Sequence, residues 1–313
     1  MSSVRQRRRS GFIDRLRPYL ALSRTPHGLL DMTTPVLAVV LYLGAFPSPG
    51  TTLVGLLTAF AGYTAVYALN DLVDLRVDRE KYRQGLLSDA GGDLDALLVR
   101  HPMAQGLLSF RQGLLWTVGW SAVAVAGAYL LNPVCVLIFA LGCLLEAVYC
   151  LMLRFSQMRV FVSGVVKTLG AVAAVFAVDP RPQASILGGL FLCLFFWEIG
   201  GQNIPNDWSD LESDSCQGAC TLPVRLGPRR AAVLIAVFLF LAVIESVIVF
   251  GFSPAGFTFG WLLAVAVLGG VLLLLPAAAL LRRPGGDGAM RLFNRASYFP
   301  AVLLLVVLAR LLA

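Results

Sequence analysis

The chain has 313 residues, a formal net charge of +7, 58% hydrophobic residues and only 14% charged ones. An ordinary soluble domain carries about 25% charged residues, and a mean hydropathy of +0.78 means more apolar surface than one water-soluble core can bury. These values exclude a soluble globular domain and predict an all-α membrane protein with the bilayer as its solvent.

The opening MSSVRQRRRS is strongly basic. Its RQRRR cluster suits nucleic acid or anionic lipid; next to membrane spans it reads as an anchor against lipid headgroups, and no nucleic-acid partner is expected. Residues 12–24, FIDRLRPYLALSR, set Phe12, Ile13, Leu16 and Leu20 among Asp14, Arg15 and Arg17, the pattern of a short interfacial helix kinked at Pro18. Residues 1–28 thus form a basic N-terminal segment, and residues 29–313 a single transmembrane domain. The first apolar run lacks a small-residue cleavage pattern and reads as a retained helix.

A span takes about 20 apolar residues. Runs near that length fall at 29–47, 52–70, 110–131, 133–153, 160–178, 184–205, 229–250, 256–281 and 295–312, which predicts nine spans. With the N-terminus in the cytoplasm, residues 71–109, 154–159, 206–228 and 282–294 share that side and hold nearly all the loop arginines and lysines. The opposite loops hold essentially only Arg181. The positive-inside rule is met with the N-terminus in and the C-terminus out, in the cell membrane of a bacterium or archaeon. Loops 71–109 and 206–228 read as lids, and RRPGGDGAMR (282–291) as a flexible connector. The six cysteines form no C-x-x-C pair. His27 and His101 stand alone, so neither a zinc site nor a disulfide framework is expected.

The pattern N-D-x-x-D-x-x-x-D occurs twice, as Asn70, Asp71, Asp74, Asp78 and as Asn206, Asp207, Asp210, Asp214, 136 residues apart at every position. The copies end the second and sixth spans, which suggests two related four-helix units with the ninth span outside them. Aspartates at i, i+3 and i+7 fall within about 60° on one helix face. Tyr63 and Tyr67 continue that face inward on the second span, as do Glu198 and Gln202 on the sixth. Six carboxylates crowded at one membrane side repel unless cations sit between them. Such hard oxygen ligands suit Mg²⁺, which prefers a few carboxylates completed by phosphate oxygens. The arrangement points to a diphosphate bridged between the two sets, with a hydrocarbon chain lying in the bundle.

With TLPVRLG (221–227), RHPMAQG (100–106) and SRTPHGLL (23–30), the paired motifs resemble the UbiA superfamily of intramembrane prenyltransferases over nearly the whole chain. The resemblance implies nine helices around a central cavity and Mg²⁺-dependent transfer of a prenyl group from its diphosphate to an acceptor, often aromatic. Carried onto this sequence, Asp71, Asp74, Asp78, Asp207, Asp210 and Asp214 would hold Mg²⁺, assisted by Asn70 and Asn206. Arg24, Arg79, Arg83, Arg154 and Lys167 would stabilise the diphosphate. Tyr63, Tyr67 and Tyr149 would line the path of the allylic cation.

Three departures stand out. SCQGAC follows Asp214 where the family carries basic residues, YCLMLR puts Arg154 where the family has a lysine one place earlier, and residues 84–99 look like an insertion that lengthens the lid. Lys167 lies near the middle of the fifth span, where a charge costs roughly 2.5–3.5 kcal/mol. It therefore pairs with Glu146, Glu198 or Glu245, or contacts diphosphate or an acidic acceptor. The expected partners are a prenyl diphosphate donor, a lipophilic or aromatic acceptor such as a quinone precursor, and membrane lipid. A terpene cyclase, which needs the same metals but no acceptor, is the alternative. Oligomeric state is left open.

Overall fold

The computed structural model describes residues 12–86 and 98–313. The RQRRR cluster and most of the inserted segment lie outside the described residues. Among the described residues, nine helices are long and apolar enough to cross a membrane: Thr25–Leu43, Pro49–Val73, Phe110–Leu131, Pro133–Arg154, Arg159–Val178, Ala184–Ser209, Pro228–Phe252, Phe259–Arg282 and Gly286–Leu312. They match the nine predicted runs. Sequence punctuation fixes several starts. Ser48 caps the second span by accepting from Thr51 N, with Pro49 at its first position. Ser109 and Gln112 form a capping box at the third, and Asn132 followed by Pro133 opens the fourth.

A helix at Phe12–Leu22 precedes the spans, with Pro18 inside it as expected. It packs near the start of the third span, with the Tyr19 and Trp116 rings 5.0 Å apart. The first span breaks at Met32 into Thr25–Asp31 and Thr33–Leu43. Thr33 and Thr34 side chains donate to the carbonyls of Leu30 and Asp31 at 2.7 and 2.9 Å, covering backbone groups at the break.

Two expectations need correction. The region read as a flexible connector is largely helix, Gly286–Ser297, which begins the ninth span. Its buried residues Ala289, Leu292, Phe293 and Ala296 recur at helical spacing, a face hidden from the sequence reading by the preceding run of glycines. The 206–228 lid is likewise not an open loop, for it holds the helices Leu211–Cys216 and Leu222–Leu226.

Burial is uneven. About half of the first and sixth spans is buried, 56% and 50%, against 17% for the third. The main apolar core lies among the first and the fifth to ninth spans, and the third presents most of its surface outward. At the end of the bundle far from the aspartates, Gly44 turns the chain at φ 61°, where a Cβ would lie 2.5 Å from the Ala255 nitrogen. The sixth span is not uniform: Glu198–Asn203 is a π-helical segment. Its Gly200 backbone lies against the seventh span, and a Cβ there would come within 2.9 Å of Phe238 Cβ. The spans enclose a central cavity of about 540 Å³.

Candidate active site

The second span runs as one helix to Val73 and resumes at Leu75–Arg83, so the first aspartate set follows a nearly continuous helical face. Asp71 and Asp78 are buried and Asp74 is half-buried. Two cations reach this set. The Arg24 guanidinium lies 3.6 Å from Asp71 and donates to Asn70 Oδ1 at 3.4 Å. His101 Nδ1 sits 3.5 Å from Asp71 and 2.9 Å from Asp78. Among the described residues, Arg24 and His101 are the two non-glycine residues with positive φ, 43° and 48°. Backbone conformations of that kind persist where the surroundings enforce them and concentrate at functional sites. Burial alone would lower the pKa of His101, but Asp71 and Asp78 outweigh it and push it up to about 10. Burial, reinforced by the charge of Asp78, pushes Asp74 up to about 6.

The second set has different company. Arg159, at the start of the fifth span, donates from Nη1 to Asp207 at 3.3 Å and lies 3.9 Å over the Tyr149 ring. Tyr149 OH in turn accepts from Asn203 Nδ2 at 3.0 Å. Lys81, on the helix that carries the first set, reaches across to Asp214 at 2.9 Å. Burial acts to lower the Lys81 pKa, yet the neighbouring Asp214, Asp210 and Asp78 hold it above the ordinary lysine value. Burial also raises the pKa of Asp210. The basic residues absent after Asp214 in the sequence are thus partly replaced by a lysine from the other set.

Beneath both sets lies a polar belt. Lys167 bonds to Asp31 of the first span and to Tyr67 OH, at 2.8 Å for the latter. Its partner is therefore neither Glu146, Glu198 nor Glu245 but an aspartate on another helix that the sequence reading did not weigh. Tyr67 OH also donates to Asp31, and His27 lies 3.7 Å from Asp31. Tyr63 OH meets Thr34 at 3.0 Å. Glu146 accepts from Asn70 at 2.6 Å, and Glu198 accepts from Ser163 at 2.9 Å. Below the belt the cavity wall turns apolar, reaching Phe46, Leu131 and Val178 at the far end. The second span lines it from Thr51 to Asp74, a rise of about 35 Å.

Of the residues predicted for the site, Arg24, Tyr63, Tyr67, Asn70, Asp71, Asp74, Tyr149, Lys167, Asn206, Asp207, Asp210 and Asp214 line this one cavity. Arg79, Arg83 and Arg154 do not. Leu75, Asp78 and Lys81 make the inward face of their helix, which turns Arg79 and Arg83 to the exposed side. Arg154 ends a 3₁₀ turn and pairs with Glu80 at 3.2 Å, both half exposed. Arg159 takes the cavity position in its stead. Asp78 lies behind the wall, held by His101. The residues that sequence reading missed are Arg159, His101, Lys81, Arg100 and Asp31. His101 and Arg100 belong to the RHPMAQG element, which was the available signal.

The donor set fits a hard divalent cation. Ligand atoms of Asp71, Asp78 and His101 lie within 4.8 Å of one another, and buried Asp71 Oδ1 makes no hydrogen bond among the described residues. Clustered carboxylates with unsatisfied oxygens suit Mg²⁺, with phosphate oxygens completing its shell.

Comparison with known proteins agrees with this geometry. Residues 32–299 match the UbiA prenyltransferase family. Digeranylgeranylglyceryl phosphate synthase of Thermococcus kodakarensis is 24% identical, with 92% of this chain and 96% of that protein covered. The synthase of the same name from Thermococcus sibiricus is 27% identical over 90% and 89%. A solved UbiA homologue from Archaeoglobus fulgidus bound to DMAPP and Mg²⁺ superposes with a TM-score of 0.67 at 21% identity, covering 94% of this chain and 99% of that one. With the family matched across most of its length, the chain belongs to the UbiA prenyltransferase family and is a membrane-embedded prenyltransferase.

Proposed function

We propose that the protein transfers a prenyl group, in an Mg²⁺-dependent reaction, from a prenyl diphosphate to a hydroxyl of a glyceryl phosphate that already carries a prenyl chain. The observation that carries the donor side is the convergence of two aspartate sets, with Arg24 on one and Arg159 on the other, at one mouth of a deep apolar cavity. Relatives named for digeranylgeranylglyceryl phosphate, similar over about nine-tenths of both chains, support the acceptor. They lend no support to an aromatic or quinone-precursor acceptor, which the sequence had suggested.

In this reading Asp71, Asp74, Asp207, Asp210 and Asp214 hold Mg²⁺, with Asp78 and Asn206 beside them. The metal supplies Lewis-acid stabilisation of the diphosphate leaving group. Arg24 and Arg159 add fixed positive charge where the leaving group gains negative charge. Tyr63, Tyr67 and Tyr149 turn aromatic surface toward the chain end that becomes cationic. Lys167 is tied to Asp31 and Tyr67, so its first task is to fix the belt that seats the acceptor. The mouth faces the cytoplasm by the distribution of basic residues.

The test is a single assay. Purified protein is given geranylgeranyl diphosphate with and without Mg²⁺, and with geranylgeranylglyceryl phosphate, 4-hydroxybenzoate or no acceptor. Mg²⁺-dependent diphosphate release coupled to a new ether product is expected. Release with a cyclised hydrocarbon and no need of acceptor would identify a cyclase, and metal-independent binding without product would end the enzymatic reading.

A further inference from the structure

Prenyl transfer to a hydroxyl leaves one proton to place. The donor C1–O bond breaks with its electron pair leaving on the diphosphate. The acceptor oxygen forms the new C–O bond, and its hydrogen must go to a base. Most polar groups of the belt are already engaged. Tyr63 is bonded to Thr34, Tyr67 and Lys167 to Asp31, Tyr149 to Asn203 and Glu146 to Asn70.

Glu198 differs. It lines the cavity yet is only 6% exposed. Ser163 holds its Oε1 at 2.9 Å, while Oε2 is buried with no hydrogen-bond partner among the described residues. A buried carboxylate oxygen without a donor is costly. Five residues on, Asn203 Oδ1 is also buried, faces the same cavity and has no partner. Both sit on the π-helical segment Glu198–Asn203, and such segments recur at functional sites. The segment therefore offers two unfilled acceptors to the cavity, which a hydroxyl reaching them can satisfy. A diphosphate and a hydrocarbon chain bring no hydroxyl; an acceptor substrate does.

The height also fits. Ser163 is one helical turn, about 6 Å, below Arg159 on the fifth span, and Arg159 bonds Asp207 of the second aspartate set. Glu198 Oε1 is thus anchored about one turn beneath the diphosphate mouth, where the carbon freed from the leaving group would lie.

We propose that Glu198 binds the acceptor hydroxyl through Oε2 and takes its proton as the new C–O bond forms, making it a catalytic residue of the acceptor half of the reaction. This rests on the prenyl-transfer reading above. Glu198→Gln keeps the Ser163 bond and the side-chain volume but removes the base. With geranylgeranyl diphosphate and Mg²⁺ and no acceptor, slow diphosphate release by the variant should stay within about twofold of wild type. Transfer to geranylgeranylglyceryl phosphate should fall by about 10²-fold or more in kcat, and Glu198→Asp should recover part of it. Ser163→Ala, which frees Oε1, should lower transfer less while leaving acceptor-free release unchanged.

Wild-type transfer by Glu198→Gln would overturn the proposal. So would a parallel fall of release and transfer, which marks a purely structural role, or a loss of transfer in Glu146→Gln but not in Glu198→Gln. A cyclised hydrocarbon formed by wild type while geranylgeranylglyceryl phosphate stays unreacted would overturn it as well. Absence of any Mg²⁺-dependent release by wild type would instead sink the prenyl-transfer reading itself, and this inference with it.

Discussion

Asp71 and Asp207 occupy equivalent places in two aspartate sets of identical spacing, yet their surroundings differ. Asp71 is met by Arg24 and His101, both on irregular backbone at positive φ, and His101 also binds Asp78. Asp207 is met by Arg159, which begins a regular helix and is braced over Tyr149. His101 joins Asp71 to Asp78, holding both carboxylates on one ring nitrogen. Arg159 bonds Asp207 alone of its set and keeps a guanidinium beside it. Equal spacing supplies equal donor atoms, and unequal neighbours leave one set bridged by an imidazole and the other beside a guanidinium.

The largest test of that difference removes one carboxylate from each set. Asp71→Asn and Asp207→Asn should each lower kcat/KM by about 10³-fold or more, since several kcal/mol of leaving-group stabilisation is lost. A set that tolerates the change would show that one side alone holds the metal. Next comes the contrast between two arginines close in sequence. Arg159→Met should cost about 10²–10³-fold, whereas Arg154→Met, on the exposed surface, should stay within about twofold of wild type. Equal losses would restore Arg154 to the site.

Two smaller effects follow from titration. Asp74, with its pKa pushed up to about 6, must shed a proton to bind metal. Mg²⁺ affinity, measured by calorimetry, should therefore weaken below about pH 6 as Asp74 takes up its proton, by at most about tenfold per pH unit for that proton. His101 is raised from an ordinary 6.5 to about 10. A group raised in the fold contributes fully below its unfolded pKa and loses that contribution as pH climbs through the folded one. Protein stripped of metal with EDTA should thus lose Tm between pH 6.5 and 10, and His101→Gln should flatten that slope. An unchanged slope would mean that His101 does not carry the contact.

Much of this was written in the sequence. Nine apolar runs specify nine spans because a bilayer demands a fixed length and internal backbone bonding. Five of the six aspartates fall in one cavity because their spacing is helical and local. What escaped were pairings between distant elements. Asp31 sits in an apolar run with no periodic partner, and only the docking of the first span against the fifth gives it Lys167. His101 looked solitary because its carboxylates lie on a helix ending many residues earlier. Arg79, Arg83 and Arg154 are as basic as Arg159, which the sequence reading left out of the site, and only helix phase and a 3₁₀ turn separate them. The Gly-rich approach to the ninth span hid a helix whose packing face is plain once its start is known.

The π-helical segment at Glu198–Asn203 has a consequence for how such a clamp can change over time. Adding one residue to a turn rotates everything downstream by about 100°. The span beneath can then keep its packing while the carboxylates above are aimed anew. A one-residue insertion or deletion, ruinous in most membrane helices, becomes here a steering adjustment. Two motifs of identical spacing can keep the same letters and still point their chemistry in different directions.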